Sequence, residues 1–132
     1  LNLRNPAGKV VSHNIYWISP DGNYKQLRDL NETFVSTGVL KSEKLKNENR
    51  WTIKITNSSG RIAFFIRPQL LAGGEEVLPA SWSAGYFSLG PGESTTISVS
   101  CPAAALAGEN TVLMVSGWNV PEQRTDLGKT GR

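Results

Sequence analysis

The sequence predicts an all-β protein, and three observations carry that prediction. Short stretches of alternating apolar and polar residues recur along the chain, most clearly Trp51-Thr52-Ile53-Lys54-Ile55-Thr56, and alternation at period 2 marks a strand with one buried face. Clusters of turn-forming residues punctuate these stretches, as in Asn5-Pro6-Ala7-Gly8, Pro20-Asp21-Gly22-Asn23 and Ala72-Gly73-Gly74-Glu75. No segment sustains a helical period, so a parallel sheet built from βαβ units is not expected. The 132 residues suffice for one apolar core without staples or metal. A single cysteine, Cys101, leaves no internal disulfide to hold it.

Taken in order, Leu1-Asn2-Leu3-Arg4 reads as the end of a strand, and the chain has no initiating Met. Both features lead us to expect a segment of a longer polypeptide. Past the Asn5–Gly8 turn, Lys9 to Ser19 carries a strand pattern with Val11, His13, Ile15 and Trp17 on one phase and Ser12, Asn14 and Tyr16 on the other. Trp17 is the expected core anchor, since a large aromatic on the apolar phase is ordinarily packing. Tyr24 to Asn31, with Leu27 and Leu30 spaced as on one helical turn, is expected to be an irregular connector. Thr33 to Leu40 places Val35, Thr37 and Val39 in phase as a strand. The charged Lys41 to Arg50 continues it as an exposed edge or loop, where Lys and Glu discourage edge-to-edge pairing.

In the strongest strand, Trp51, Ile53 and Ile55 face inward. Asn57-Ser58-Ser59-Gly60 separates it from Arg61 to Arg67, where Ile62, Phe64 and Ile66 alternate with Arg61, Ala63, Phe65 and Arg67. Two patterned strands around four turn residues predict a hairpin. Pro68 has no N–H to give to a ladder, so a bend or a sheet edge is expected near it. Gly90-Pro91-Gly92-Glu93 fits a type II turn, with Pro91 supplying the fixed φ and Gly92 the positive one. Thr95 to Cys101 follows as a strand, with Cys101 in phase with Ile97 and Val99 as a small buried apolar residue. Pro102 to Gly108 has room for one helical turn. Thr111 to Trp118 is apolar on both phases in its first five residues, as suits a strand buried between layers. Residues 121–132 are polar and unpatterned, and a loosely held tail is expected. The sum, about seven short strands with no convincing helix, is the pattern of an immunoglobulin-like β-sandwich. It is expected over residues 1–120 and, lacking a disulfide, is held by apolar burial.

Several functions are excluded on the same residues. The formal charge of +3 and pI of about 9.2 lean basic, but the cations are interspersed with acids, as in Lys41-Ser42-Glu43-Lys44-Leu45-Lys46-Asn47-Glu48. That is a solvated face, and no nucleic-acid partner is expected. No run of about 18 apolar residues, the length a spanning helix needs, is present, so no membrane partner is expected. The chain has no Gly-x-Ser-x-Gly elbow, phosphate-cradling Gly loop or His-Glu-x-x-His. His13 is the sole histidine, and adjacent Glu75 and Glu76 would point to opposite faces of a strand, with Glu75 at a Gly turn. Neither supplies an acid–base pair or a metal site, and no cofactor is expected. Asn31-Glu32-Thr33 and Asn57-Ser58-Ser59 match the N-glycosylation acceptor pattern. What remains is Trp82, Tyr86 and Phe87 in a loop of small residues, more aromatic surface than a connector requires. Exposed aromatic rings in such a loop can pack on a neighbouring domain or stack on sugar rings.

Five stretches together resemble a known family: Val10-Val11-Ser12-His13-Asn14-Ile15-Tyr16-Trp17, Ala63-Phe64-Phe65-Ile66-Arg67, Val77-Leu78-Pro79, Tyr86-Phe87-Ser88-Leu89-Gly90-Pro91-Gly92-Glu93-Ser94 and Ser116-Gly117-Trp118-Asn119. In this order, over roughly residues 8 to 120, they are similar to the C-terminal immunoglobulin-like domain of glycoside hydrolase family 2 enzymes, in the group of exo-β-glucosaminidases, β-mannosidases and endo-β-mannosidases. The resemblance implies a non-catalytic accessory domain, because the family's catalytic glutamates belong to a separate TIM barrel. The implied partner is that barrel within the same polypeptide, and the implied location is periplasmic or secreted. Where the family usually has Asp-Asn before the loop's Tyr-Phe, this chain has Ala84-Gly85. The less polar loop ranks as a docking surface ahead of a sugar site; the alternative is an autonomous carbohydrate-binding module that uses oligosaccharide as its partner.

Overall fold

A computed structural model describes residues 1–129. The chain forms two compact units, Leu1–Asn31 and Glu32–Arg132.

In the first unit, β1 (Asn2–Arg4) pairs antiparallel with β2 (Val10–His13). The Asn5-Pro6-Ala7-Gly8 turn forms as its residue types dictate: the Gly8 N–H donates to Asn5 O at 2.8 Å, and Asn5 Oδ1 accepts from the Lys9 N–H at 2.9 Å. At Pro20–Asn23 the Asp21 carboxylate accepts from the Ser19 hydroxyl at 2.7 Å and the Asn23 N–H at 3.0 Å. These two bonds, the hydroxyl first, hold its pKa below the ordinary value. Lys25–Asp29 is a 3₁₀ turn, in keeping with the one-turn spacing of Leu27 and Leu30. The strand predicted from Lys9 to Ser19 is cut back to Val10–His13, every residue of it exposed. Trp17 is half-buried and outside the apolar core. Alternation specifies a buried face only where a second layer covers it, and a two-stranded ribbon leaves both of its faces open, so the strand is shorter and more exposed than its pattern predicts.

The second unit is the sandwich. One sheet runs β3 (Ser36–Lys44), β4 (Glu48–Thr56), β9 (Ser94–Pro102), β7 (Ser81–Trp82) in spatial order. The other runs β11 (Gln123–Lys129), β10 (Asn110–Ser116), β5 (Ala63–Ala72), β6 (Glu75–Glu76), and β8 (Phe87–Leu89) also pairs with β5. Their inner faces meet in one core. Trp51, Ile53, Ile55, Ile97, Val99 and Cys101 come from the first sheet, and Ala63, Ile66, Leu70, Leu89, Leu113 and Val115 from the second. Fully burying a Leu, Ile or Val side chain is worth about 1.5–3 kcal/mol, so this set supplies the cohesion that a disulfide would otherwise add. Thr37 Oγ1 and Thr125 Oγ1 lie 2.6 Å apart and tie β3 to β11 across the two sheets. Of the charged stretch predicted as an exposed edge or loop, residues 41–44 end the outer strand β3, with an ion pair between Lys41 and Glu43 at 2.7 Å, whereas residues 48–50 belong to the inner strand β4 and Asn49 is buried.

Two further stretches in this unit depart from their sequence expectation, the 57–60 turn and the C-terminal tail. Strands β4 and β5 do not form a hairpin: β4 pairs with β3 and β9, β5 with β10, β6 and β8, so residues 57–62 carry the chain from one sheet to the other. Asn57 makes that crossing. It is fully buried, and its amide donates to the carbonyls of Arg61 (2.6 Å), Leu89 (3.0 Å) and Gly90 (3.1 Å). Sequence spacing cannot separate a hairpin turn from a corner; the side chain's partners decide it. An amide so engaged inside the fold has no room for a glycan, so the Asn57 acceptor pattern is structural.

Pro68 sits within β5 and not at its end. On the side away from β10, β8 pairs with β5 at Ala63 and Ile66 and β6 pairs at Leu71 and Ala72. Pro68 falls in the gap between them, so β5 is locally a sheet edge there, as expected for a residue with no N–H to give.

Finally, the predicted tail folds. Gln123–Lys129 pairs with β10 from Val115↔Gln123 to Asn110↔Lys129. Its half-buried positions include Gln123, Thr125 and Leu127, a mostly polar phase that a search for apolar alternation passes over, and polar residues are what an outer strand requires. Residues 130–132 of that tail lie outside the described residues.

The Gly90–Glu93 turn matches its prediction. Gly92 has a φ of 73°, the Glu93 N–H donates to Gly90 O at 3.1 Å, and Glu93 Oε2 caps the Gly90 N–H at 2.7 Å. Cys101 is buried with a free thiol, and burial, with the charge of Glu48 adding, pushes its pKa up. Because only the thiolate is nucleophilic, native protein near about pH 8 is expected to leave Cys101 unlabelled by a chromogenic disulfide reagent, with one equivalent reacting once denaturant is added. Rapid native labelling would contradict its place in the core.

Candidate functional site

The three aromatic residues singled out by the sequence separate once folded. Trp82 lies on β7 opposite Val99 and packs half-buried against the core. Its strand is pinned by the Ser83 N–H donating to Ser98 O at 2.9 Å and the Ser98 N–H donating to Ser83 Oγ at 2.9 Å. Phe87, opposite Ile66 on β8, is also half-buried on the core. Ala84 joins them there, so the small residues of this loop let it lie close to the sandwich. Tyr86 alone of the three presents its ring to solvent, at 63% exposure.

Tyr86 is not isolated. Its ring lies 5.7 Å from that of Phe65, with the planes tilted by 54°, and Phe65 in turn meets Phe64 edge-on at 4.9 Å. Strict alternation places Ala63 and Phe65 outward together. Instead, Ala63, Phe64 and Ile66 are all buried while Phe65 is 52% exposed. The β5–β8 register slips between Ala63 and Ile66, which is a β-bulge. Phe65 sits at its centre with a φ of 54°. For a bulky residue this left-handed conformation costs about 1–3 kcal/mol, and it persists only where the surroundings over-determine it.

Those surroundings come from Ser116-Gly117-Trp118-Asn119. Asn119 is buried; its side-chain oxygen accepts from the Phe64 N–H at 2.8 Å and its amide donates to Ile62 O at 2.7 Å. One side chain thereby stands in for a strand along the bulged stretch. The Trp118 N–H donates to Phe64 O at 2.9 Å, and the Phe65 N–H donates to Ser88 Oγ at 3.1 Å. Gly117 is required by close approach, because a Cβ there would lie 2.9 Å from Phe64 O and 3.1 Å from the Val120 Cβ. Trp118, next in the chain, is 61% exposed. The sequence signals for this arrangement were the Phe64-Phe65 pair and the Gly-Trp-Asn run, but neither reveals a bulge without the partner strand.

Elsewhere the polar chemistry is sparse. Glu76 pairs with Arg67 at 3.2 Å, which gives one member of the Glu75-Glu76 pair a structural role. No group of three or more His, Cys, Asp or Glu side chains converges among the described residues.

The comparisons with known proteins agree with this geometry. The family described as the exo-β-D-glucosaminidase Ig-fold domain matches residues 14–120. The chain belongs to this family. The exo-β-D-glucosaminidase of Streptomyces avermitilis is 33% identical over 145 residues, a match that takes in 93% of this chain and 16% of that protein. The corresponding protein of Arthroderma benhamiae is 30% identical, covering 93% of this chain and 15% of its own length. Among solved structures, the exo-chitosanase of Amycolatopsis orientalis superimposes on this Ig-fold domain with a TM-score of 0.81 at 27% identity, across 93% of this chain and 17% of that one. The Ig-fold domain thus spans about one sixth of the relatives it matches. Of the group named from resemblance, the exo-β-glucosaminidase branch is the one these matches support; none of them is to a β-mannosidase.

Proposed function

We propose that this Ig-fold domain is a non-catalytic accessory part of a multidomain glycoside hydrolase of the exo-β-D-glucosaminidase type, packing on and supporting a catalytic barrel elsewhere in the polypeptide. The observation that carries this reading is the family match over 14–120 combined with the small share, 16%, that the chain takes of its relative's length. The polar side chains beside Phe64 and Phe65, Asn119 and Ser88, are bonded to the backbone.

The isolated chain is expected to release no aryl leaving group from an aryl β-D-glucosaminide above the uncatalysed rate. Turnover at an enzymatic rate would remove the accessory reading. Calorimetry against chito-oligosaccharides addresses oligosaccharide binding, and no saturable heat is expected. A saturable heat abolished by Tyr86→Ala or Trp82→Ala would establish an autonomous carbohydrate-binding module instead.

A further inference from the structure

We infer that Asn31 is an N-glycan acceptor, and that of the two acceptor patterns in this chain, Asn31-Glu32-Thr33 and Asn57-Ser58-Ser59, the fold leaves only the first usable. The inference does not depend on the accessory-domain reading. Its partner is an oligosaccharyltransferase, met when the chain is secreted, and its co-substrate is a lipid-linked oligosaccharide diphosphate.

The transfer joins the Asn31 side-chain nitrogen, Nδ2, to C1 of the first sugar. The bond between C1 and the diphosphate oxygen breaks, the lipid diphosphate leaves with its electron pair, and the amide nitrogen gives up one proton. Glycans are added as the chain enters the secretory pathway, before folding is complete, so both patterns are presented to the enzyme. What the fold decides is which product can become a native domain, because a glycan is bulky and must end on the surface.

The two asparagines answer that differently. Asn57 has no solvent exposure, and its amide donates to the carbonyls of Arg61, Leu89 and Gly90. A sugar on that nitrogen would remove a donor and push the corner apart. Asn31 is exposed and lies within residues 30–35, which belong to no strand or helix, so a sugar there displaces no ladder partner. The backbone leading into it is extended, with Leu30 at φ −63° and ψ 122°. Glu32 is exposed too, and it is not the proline that would block the pattern. The chain enters the sandwich at Thr33, which is 2% exposed and whose N–H donates to Asn119 O at 2.8 Å. The threonine that the enzyme reads in the unfolded chain is therefore an anchor of the finished fold, while the asparagine two residues before it remains on the surface.

The longer polypeptide that carries this chain, secreted from a eukaryotic host cell, tests the assignment. Peptide N-glycosidase in heavy-oxygen water converts each glycosylated Asn to Asp bearing heavy oxygen, and trypsin places Asn31 in the peptide 29–41 and Asn57 in the peptide 55–61. The mark is expected on 29–41 in most molecules and absent from 55–61, and Asn31→Gln is expected to lower the intact mass by one glycan. An unmarked Asn31, or a mark on Asn57 in secreted protein that melts cooperatively, overturns the inference.

Discussion

Replacing Asn57 with Asp is expected to unfold the sandwich under conditions in which the parent sequence is stable. The side chain has no solvent exposure, and its amide serves three carbonyl oxygens, those of Arg61, Leu89 and Gly90, while its oxygen accepts from the Ser59 N–H and hydroxyl. A carboxylate can replace the acceptor but not the donor. It would place a buried charge against three oxygens that repel it. Leaving a buried charge uncompensated costs about 3–5 kcal/mol, and each orphaned carbonyl adds about 1–3 kcal/mol. Domains of this size have about 5–15 kcal/mol in total, so the change removes most or all of the margin. Asn57→Ala, which orphans the carbonyls without adding a charge, is expected to fall between the two proteins.

The pH dependence gives a second test of the same corner. Burial and the facing carbonyls favour the protonated acid in the folded state, so the pKa of Asp at position 57 would rise above its unfolded value. The sign follows: the variant is most stable below about pH 4, the unfolded carboxyl pKa, and loses stability as pH rises through the raised folded value. Urea melts at several pH values measure this directly. An Asn57→Asp midpoint equal to the parent's at neutral pH would show that the corner does not depend on the amide.

Asn57 also shows what could be read before folding and what could not. Its neighbours Trp51, Ile53 and Ile55 alternate so cleanly that the strand, its inward face and the all-β class were legible from residue order. The destination of the next strand was not, because four turn residues fit a hairpin and a sheet-to-sheet corner equally well and the choice lies with carbonyls as far away as Leu89 and Gly90. The same limit explains Gln123–Lys129. A strand whose half-buried positions include Gln and Thr has no apolar period to detect, and only its pairing with β10 makes it a strand. At the candidate site, the loop aromatics stood out by composition, and of the three only Tyr86 is exposed. Phe65 was placed on the outward phase, but its partnership with Tyr86 depends on a bulge stabilised by Asn119, which bonds Phe64 from 55 residues away in sequence. Local pattern reports which face a side chain takes; long-range hydrogen bonds decide which other side chains it meets there.

Trp51 provides the second large effect, and the comparison of two substitutions matters more than either alone. It is 1% exposed on β4, with Ser42 of β3 on one side and Val99 of β9 on the other, so it sits in the middle of the four-stranded sheet's inner face. Trp51→Ala empties that position, and loss of transfer energy plus the cavity is expected to cost about 3–5 kcal/mol. The indole Nε1–H, however, has no hydrogen-bond acceptor among the described residues. A buried unpaired donor carries a penalty of about 1–3 kcal/mol, which Trp51→Phe removes while keeping one aromatic ring in place. The smaller ring leaves a partial cavity, and the relief of the donor offsets part of it. Trp51→Phe is therefore expected to cost less than half of what Trp51→Ala costs, with urea m-values unchanged because both variants keep the same fold. Equal losses for the two would mean that the indole N–H is paired in the folded protein, and that the stability of this sheet depends on a polar contact in addition to apolar packing.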